Sequence, residues 1–160
     1  MKIVVVGTRG IPDIQGGVET HCEELYPRLA AMGHDVTVVR RSCYVTPQNK
    51  IKEYKGVHLK DIYAPRRKSI EAIVHTFLAI IYARWVGADV LHIHAIGPAL
   101  LTPLARLLGL RVVMTHHGPD YDRQKWNKTA KSVLRWGERM GTNYANEVIV
   151  ISTVIDNILR

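Results

Sequence analysis

The sequence predicts an α/β fold, a doubly wound parallel sheet with helices on both faces, in a single domain over residues 1–160. Short β-branched runs alternate with longer segments in which apolar residues recur every three or four positions, the pattern of βαβ units. Of the 160 residues, 47% are hydrophobic, which is enough for one buried core. The sequence contains no repeat or low-complexity tract that would argue for another architecture.

Six strands are predicted from the apolar, β-branched runs. The first, Lys2–Val6, is continuously apolar after its lysine, as strands buried on both faces of a parallel sheet are. The others cover residues 36–40, 57–63, 90–94, 111–115 and 148–151. Because most of them are separated by helical segments, we expect parallel neighbours joined by crossover helices.

Four helices are predicted between the strands, and a fifth after the last strand. The first ends at Gly33, and Pro27 inside it should kink it because proline lacks a backbone N–H. Its apolar stripe comprises Val18, Cys22, Leu25, Leu29 and Met32. The stripe of the second helix comprises Ile70, Ile73, Val74, Phe77, Leu78 and Ile81. The third begins at Pro98, stops at Gly109, and has a stripe of Leu100, Leu101, Leu104, Leu107 and Leu108. The fourth covers about residues 128–144, and Thr153 with Asp156 resembles a capping box that opens the fifth.

The connection after the first strand has the features of an anion site. In open parallel sheets, ligands bind beyond the carboxyl ends of the strands. Gly16 and Gly17 stand at the entrance of the first helix, where free backbone N–H groups and the helix dipole favour an anion. Residues 7–10 lack the G-x-G-x-x-G spacing, which argues against a dinucleotide site. A flexible loop with a helix cap is the alternative.

Histidines mark the ends of two further strands. With a period of two, His92 and His94 share one face of their strand, and His94 lies nearest its carboxyl end. His116 and His117 end the next strand. Imidazoles at a sheet edge can donate to a substrate hydroxyl or phosphate. The alternatives are a zinc site, for which no carboxylate or cysteine stands at ligand spacing, and simple packing.

Positive charge is concentrated in two segments. The formal net charge is +8, and residues 50–68 and 122–139 carry local excesses of five and four positive charges. On the predicted fourth helix, one face carries Lys128, Lys131, Arg135 and Arg139, flanked by Trp126 and Trp136. The opposite face comprises Ala130, Val133, Leu134, Gly137, Met140, Gly141 and Tyr144. Basic residues with tryptophan indicate an anionic membrane surface or a polyphosphate-bearing acceptor, and a solvated basic face is the alternative.

The chain has the features of a soluble cytoplasmic protein, one that could be peripheral on the inner face of the membrane. The two cysteines, Cys22 and Cys43, are too few for a disulfide framework and indicate reduced thiols. No segment has the length and composition of a signal peptide, and the longest apolar-rich stretch, residues 70–86, contains charged residues and is too short to span a membrane.

Four motifs in this order resemble the N-terminal domain of glycosyltransferase family 4. They are GGVE at 16–19, GHDVTV at 33–38, DVLHIH at 89–94 and THHG at 115–118. The opening GTRGIP at 7–12 is similar to the rhamnosyltransferase-like branch of that family. The resemblance covers essentially the whole chain. It implies a Rossmann-like domain that forms the N-terminal half of a GT-B fold, in a retaining enzyme.

The resemblance also implies roles for individual residues. Gly16 and Gly17 match the glycines that face the diphosphate of a nucleoside-diphosphate sugar, the donor. His117 matches a catalytic histidine that positions the transferred sugar, and His94 matches the floor of the acceptor pocket. Arg9, Glu19 and Asp120 are further acceptor-binding candidates. For the basic helix and the segment before it, membrane or anion binding is expected of Arg123, Lys125, Lys128, Lys131, Arg135 and Trp136.

The resemblance further implies that the catalytic unit is larger than these 160 residues. The family's C-terminal nucleotide-sugar-binding domain, with its basic pair and E-x7-E motif, has no counterpart in the sequence, so we expect this chain alone to be inactive. The implied reaction transfers a sugar, rhamnose or another hexose, to a glycan or lipid-linked acceptor in polysaccharide biosynthesis. No metal or redox cofactor is implied.

Three other classes of function stay open at this point. One is a basic nucleic-acid- or membrane-binding module without catalysis, although a single phenylalanine and the lack of an RNA-binding motif argue against specific nucleic-acid recognition. The second is a sugar-nucleotide epimerase that would need carboxylates from elsewhere. The third is a stand-alone acceptor-binding or regulatory module.

Overall fold

The computed structural model describes residues 1–11, 14, 17–47, 50–65, 70–95, 98–116 and 128–150. The strands are β1 (Lys2–Val6), β2 (Asp35–Arg41), β3 (Glu53–Tyr54), β4 (Val57–Ile62), β5 (Val90–His94), β6 (Val112–His116) and β7 (Glu147–Val150). The helices are α1 (Gly17–Ala31), α2 (Glu71–Val86), α3 (Thr102–Leu107) and α4 (Lys128–Tyr144). Short 3-10 turns cover Ser42–Tyr44 and Pro98–Leu101. The fifth predicted helix lies outside the described residues.

These strands form one sheet in the order β3-β4-β2-β1-β5-β6-β7. Neighbours are parallel except β3, which pairs with β4 in the antiparallel direction. The predicted parallel α/β fold is therefore confirmed, but the prediction of six strands was wrong in the described part of the chain. It missed β3, a two-residue edge strand joined to β4 through Lys55 and Gly56, both with positive φ. Two residues are too few to show a period.

The order of the strands reverses beside β1. The chain first builds outward from β1 through β2 to β4, and then returns to place β5 on the other side of β1. The carboxyl ends of β1 and β5 therefore lie next to each other at a topological switch point, where open α/β sheets bind ligands.

Each face of the sheet has its own core. Successive residues of β1 point to opposite faces, so Val4 and Val6 belong to one cluster and Ile3 and Val5 to the other. The first cluster is closed by α2, α3 and α4, and the second by α1. Helices thus cover both faces, as predicted.

The apolar stripes predicted for α2 and α3 were partly wrong, because several of their bulky residues are exposed. In α2 the buried residues are Glu71, His75, Thr76, Ala79, Ile80 and Ala83. Phe77 and Ile81 of the predicted stripe are 45% and 46% exposed, and Leu107 of α3 is 85% exposed. Because α2 is apolar on all sides, its sequence does not select a face, and small alanines let the helix approach the sheet closely.

α1 follows the prediction more closely. It contains Pro27 and continues to Ala31, and Cys22 is completely buried as expected. Met32 was assigned to the buried stripe, but it is 72% exposed because it follows the last residue of the helix.

Candidate functional site

The backbones of β1 and β5 touch at the switch point. Gly7, directly after β1, has a φ of +96°, and a Cβ added there would lie 2.3 Å from the backbone oxygen of His94. Only glycine fits such an approach without displacing the backbone. Ala95, directly after β5, has a φ of +71°, a left-handed conformation that is strained for a residue with a Cβ. Such strain is often found at functional sites.

A polar loop follows β1 and faces the first turn of α1. The Thr8 hydroxyl accepts a hydrogen bond from the Gly10 N–H at 3.2 Å and donates to Glu19 Oε2 at 3.3 Å. Arg9 Nε lies 3.8 Å from Glu19 Oε1. Burial raises the pKa of Glu19, while the nearby Arg9 charge opposes the rise. The buried carboxyl of Glu19 in α1 therefore lies beside the half-exposed guanidinium of Arg9 in the loop.

Arg40 anchors this loop from β2. Its side chain is 1% exposed and forms a two-pronged ion pair with Asp61 of β4, with N···O distances of 2.6 and 3.1 Å. It also donates to the backbone oxygens of Ile11 and Ile51. A Cβ at Gly10 would lie 2.7–2.9 Å from Arg40 side-chain carbons, so the loop lies directly against this arginine.

A buried hydrogen-bond network lies beneath the switch point, between α1 and the sheet. The Tyr26 hydroxyl is 2.6 Å from His92 Nδ1 and 2.5 Å from His94 Nε2. The other ring nitrogen of His92 is 2.6 Å from Thr115 Oγ1, and Cys22 Sγ is 3.7 Å from His94 Nε2. Because one hydroxyl donates only one hydrogen bond, at least one of the two imidazoles donates to the Tyr26 oxygen. The network fixes both rings against α1.

Burial keeps the acidic members of this network protonated. It raises the pKa of the Tyr26 hydroxyl well above 10, and it raises the pKa of the Cys22 thiol in the same way, with the Glu19 charge adding to the rise. A thiol with a raised pKa is a poor nucleophile. Cys22 therefore packs beside His94 without forming the activated Cys–His pair of a cysteine enzyme.

The other described strand-end histidine faces the opposite side of the sheet. His116 is completely buried, and its Nε2 is 2.6 Å from Glu138 Oε2 of α4. Side chains alternate between the two faces along β6, so His116 lies on the same face as Met114, which belongs to the first core cluster. His116 therefore ties α4 to the carboxyl end of β6.

A second polar cluster lies at the carboxyl end of β2. Arg41 donates to Glu71 Oε1 at 2.8 Å and to the backbone oxygen of Gly7 at 3.2 Å. The Tyr44 hydroxyl donates to the other oxygen of Glu71 at 3.2 Å. Arg9 lies over the ring of Tyr44, 5.0 Å from its centroid, so this cluster and the loop after β1 are continuous.

One side of α4 faces solvent, as its pattern predicts. Ser132, Arg135, Trp136 and Arg139 line one surface depression, and Trp136 is 62% exposed. The other side is buried through Leu134, Gly137 and Gly141. Tyr144 was assigned to that buried side, but it is 47% exposed because it is the last residue of the helix.

The structure brings together four of the predicted site residues at the switch point. Gly17 begins α1, Glu19 lies in its first turn, Arg9 is in the loop above, and His94 is completely buried below. Arg135 and Trp136 lie elsewhere, on the exposed side of α4. The predicted positions outside the described residues are Gly16, His117, Asp120, Arg123 and Lys125, and the side chains of Lys128 and Lys131 are likewise outside them.

Several site residues were not predicted. Tyr26 follows Cys22 by four residues, so the helical period could have placed it on the buried face. The charged pair Arg40 and Arg41 at the end of an apolar strand was a further signal. Glu71 could not be found in this way, because its partners lie 27 and 30 residues earlier in the chain.

The described residues contain no group of three His, Cys, Asp or Glu side chains placed to hold a metal ion. In the same ranges no helix is both long enough and apolar enough to cross a membrane.

A mostly parallel sheet of this order, with helices on both faces and a polar edge at the β1–β5 switch point, defines a Rossmann-like α/β domain. The sequence model described as Glycosyltransferase Family 4 matches residues 15–160. The chain therefore belongs to glycosyltransferase family 4, and its fold is the N-terminal half of a GT-B fold.

Solved structures of sucrose-phosphate synthase share this fold. Sucrose-phosphate synthase from Thermosynechococcus elongatus superposes with a TM-score of 0.77 over 99% of this chain, at 20% sequence identity. A second structure of sucrose-phosphate synthase from that organism gives a TM-score of 0.67, with 19% identity over 99% of this chain and 81% of its own. The chain spans 44% of the length of the first of these structures. A comparison with curated protein sequences gave no match.

Proposed function

We propose that this chain is the acceptor-side half of a retaining glycosyltransferase. The complete enzyme moves a sugar, rhamnose or another hexose, from a nucleoside-diphosphate sugar to a hydroxyl of a glycan or lipid-linked acceptor in polysaccharide biosynthesis. A second domain binds the nucleotide sugar and closes the cleft. Without that domain the chain does not turn over.

The observation that carries the proposal is the meeting of three elements at the switch point. The ends of β1 and β5 and the amino end of α1 converge there: Gly7 approaches the His94 backbone, Cys22 of α1 lies 3.7 Å from the His94 ring, and Arg9 lies 3.8 Å from Glu19 of α1. The amino end of α1 offers backbone N–H groups to the donor diphosphate at Gly16 and Gly17. Arg9, Glu19 and Asp120 contact the acceptor. His117, next to the buried His116, positions the transferred sugar.

His94 is completely buried, and in this proposal it lies beneath the floor of the acceptor pocket. Its ring is held by Tyr26 and stacks on His92 with centroids 4.2 Å apart. A side chain fixed on two sides keeps one orientation, and preorganised groups stabilise developing charge without first having to rearrange. We therefore assign His94 a positioning role at the floor of the cleft.

The test uses the full-length protein encoded by the gene. It is incubated with UDP-glucose, GDP-mannose or dTDP-rhamnose and with the membrane lipids of its source. Release of nucleoside diphosphate and incorporation of labelled sugar into lipid or polysaccharide are measured. We expect transfer from one of these donors, and a loss on the order of 100-fold in His117→Ala. His58→Ala is the matched control, because His58 is an exposed imidazole of β4.

Two results would contradict the proposal. Absence of transfer with every donor would favour a module without catalysis. Full transfer by His117→Ala would remove the assigned role of that residue, while leaving the transferase assignment itself intact.

We also propose that the exposed side of α4 rests on an anionic membrane surface, where a lipid-linked acceptor would be found. Trp136 and Arg139 are both exposed on that side, beside Arg135. An exposed tryptophan among arginines matches the interface between anionic headgroups and acyl chains. Lys128 and Lys131 on the same helix, with Arg123 and Lys125 before it, would add to the attraction.

Vesicle sedimentation of the full-length protein tests this surface. We expect binding to vesicles with 30% phosphatidylglycerol and not to pure phosphatidylcholine, weakened roughly fivefold by Arg139→Gln. Trp136→Ala should weaken it further, whereas Trp85→Ala should not, since the 83% exposed Trp85 lies on α2. An equal loss of vesicle binding in both tryptophan variants would refute the proposal that α4 contacts the membrane. Tighter, salt-dependent binding to random oligonucleotides would favour the nucleic-acid alternative instead.

A further inference from the structure

The cluster at the end of β2 is built to hold one guanidinium in place. Arg41 is 9% exposed, and two of its nitrogens donate to Glu71 and to the Gly7 backbone. Glu71 is itself fixed, because its second oxygen accepts from Tyr44. A planar guanidinium bound on two sides keeps its orientation. The fixed group stands beside the site at the β1–β5 switch point.

The third nitrogen of Arg41 makes no hydrogen bond to the part of the chain that the structure describes. Its Nε is buried and has no hydrogen-bond partner among the described residues. A buried donor without a partner is unfavourable, so such groups in native proteins normally have a ligand or water as partner. The described contacts of Arg41 therefore leave one directed donor for a bound molecule.

A matching acceptor lies nearby in the same cluster. Glu19 Oε1 is 3.8 Å from Arg9 Nε, close enough for an ion pair but too long for a hydrogen bond. Arg9 links the two ends of the cluster, since it stacks on Tyr44 and its backbone oxygen accepts from the Arg41 N–H at 3.0 Å. Arg41 of β2 and Glu19 of α1 are thus both in contact with Arg9, in the loop after β1.

The balance of charge decides which ligand fits. Two guanidinium groups, from Arg9 and Arg41, stand against two carboxyl groups, from Glu19 and Glu71. A phosphate would be repelled by two carboxylates and attracted by two arginines, with little net gain. A sugar with neighbouring hydroxyls donates to a carboxylate and accepts from a guanidinium at the same time.

We propose that Arg41, with Arg9 and Glu19, binds neighbouring hydroxyls of a neutral sugar residue in the acceptor, and that Glu71 and Tyr44 are positioning residues for Arg41. This inference rests on the proposed glycosyltransferase function. It names the acceptor group as an uncharged sugar and adds three residues to the acceptor site.

The experiment measures binding of simple glycosides to the full-length protein. Methyl α-rhamnoside, α-mannoside and α-glucoside are titrated by ligand-observed NMR, together with their 2-, 3- and 4-deoxy analogues and glucose 6-phosphate. We expect one neutral glycoside to bind, Arg41→Gln to weaken it at least tenfold, and Arg28→Gln to leave it unchanged. Arg28 is the matched control because it is an exposed arginine of α1, paired only along its own helix with Glu24 in the described contacts.

A deoxy analogue distinguishes a direct contact between Arg41 and a sugar hydroxyl from a merely structural role of Arg41. The wild-type protein should lose at least tenfold in affinity when one of two neighbouring hydroxyls is removed, and Arg41→Gln should no longer distinguish that analogue. A merely structural role for Arg41 would lower both affinities equally and keep the distinction. Glu71→Gln should reduce the distinction in part. Should Arg41→Gln fail to fold, Arg9→Gln replaces it, because Arg9 is 43% exposed.

Three outcomes would overturn the inference: no binding of any neutral glycoside, preferred binding of glucose 6-phosphate, or unchanged discrimination in Arg41→Gln. None of them would overturn the proposed function, which depends on transfer from a nucleotide sugar. Conversely, a protein that binds glycosides through Arg41 but transfers no sugar would be an acceptor-binding module.

Discussion

His75 makes the stability of this protein depend on pH in a calculable way. It is completely buried in α2, and its Nε2 donates to the backbone oxygen of Arg40 at 3.1 Å. Burial, and then the charge of Arg41, lower the pKa of His75 from 6.5 to about 4. The unfolded chain therefore binds a proton at a higher pH than the folded chain does. Stability contributed by the neutral ring is complete above pH 6.5 and is lost as the pH falls towards 4.

The size of this effect follows from the two pKa values. Each pKa unit corresponds to about 1.4 kcal/mol, so His75 alone should remove roughly 3 kcal/mol of unfolding free energy between pH 7 and pH 4. Since small domains are stable by about 5–15 kcal/mol, such a loss is large enough to measure. The assay is urea denaturation at half-unit steps of pH.

Comparison with a variant isolates His75 from the other titrating groups. His75→Gln can keep the hydrogen bond to the Arg40 oxygen but cannot gain a proton, so its stability should fall by roughly 3 kcal/mol less over this range. His58→Gln, which replaces an exposed imidazole of β4, is the control substitution. If His75→Gln loses stability as steeply as the wild type, the buried neutral ring is not the cause.

Three more predictions concern stability and reactivity. Gly7→Ala should cost more than about 4 kcal/mol because its Cβ would meet a carbonyl oxygen of β5 at 2.3 Å. Gly33 also has a positive φ, +97°, but has open space around it, so Gly33→Ala should cost only about 1 kcal/mol. Similar urea midpoints for the two variants would show that the added Cβ of Gly7→Ala does not collide with the strand. Tyr26→Phe should cost about 2–4 kcal/mol, because two buried imidazoles lose their shared hydroxyl, and an unchanged midpoint would refute that. A thiol reagent at pH 8 should label the partly exposed Cys43 and spare the buried Cys22 until the protein unfolds, and mass spectrometry of the labelled peptides would reveal the reverse.

Much of the fold could be predicted because the apolar runs are local signals. β1 and β5 have the predicted bounds, and β2, β4, β6 and β7 differ from prediction by one residue at one or both ends. β1, β2, β4, β5 and β6 are each buried on one or both faces, and burial requires a run or alternation of apolar residues in the sequence. β3 has only two residues, which is too short for such a run.

The buried faces of α2 and α3 could not be predicted in the same way. Both segments are rich in large apolar residues on several sides, so periodicity offered more than one face. The structure buries Ala79, Ala83 and Ala105 and leaves Phe77 and Leu107 outside. How closely a helix must approach the sheet depends on its neighbours, which the local sequence does not record.

In the candidate site, too, the positions at strand ends could be predicted from the sequence, but the contacts between distant residues could not. The motifs after β1 and at the ends of β5 and β6 could be identified as site candidates because ligand sites of parallel sheets lie at strand ends. That reasoning pointed to Gly17 and His94, and the family resemblance added Arg9 and Glu19; the structure brings these residues to one edge. Neither of these signals showed that Tyr26 would bridge His92 and His94.

By itself, the sequence determined the class of fold, the edge of the sheet that carries the polar residues, and the family. Only the tertiary structure decided which groups contact one another there: Tyr26 with two imidazoles, Glu138 with His116, and Glu71 with Arg41. Hydrogen bonds join residues that are distant in the chain, and their geometry depends on how α1, α2 and α4 dock on the sheet. Periodicity records what each element buries, but it does not record the partner on the other side.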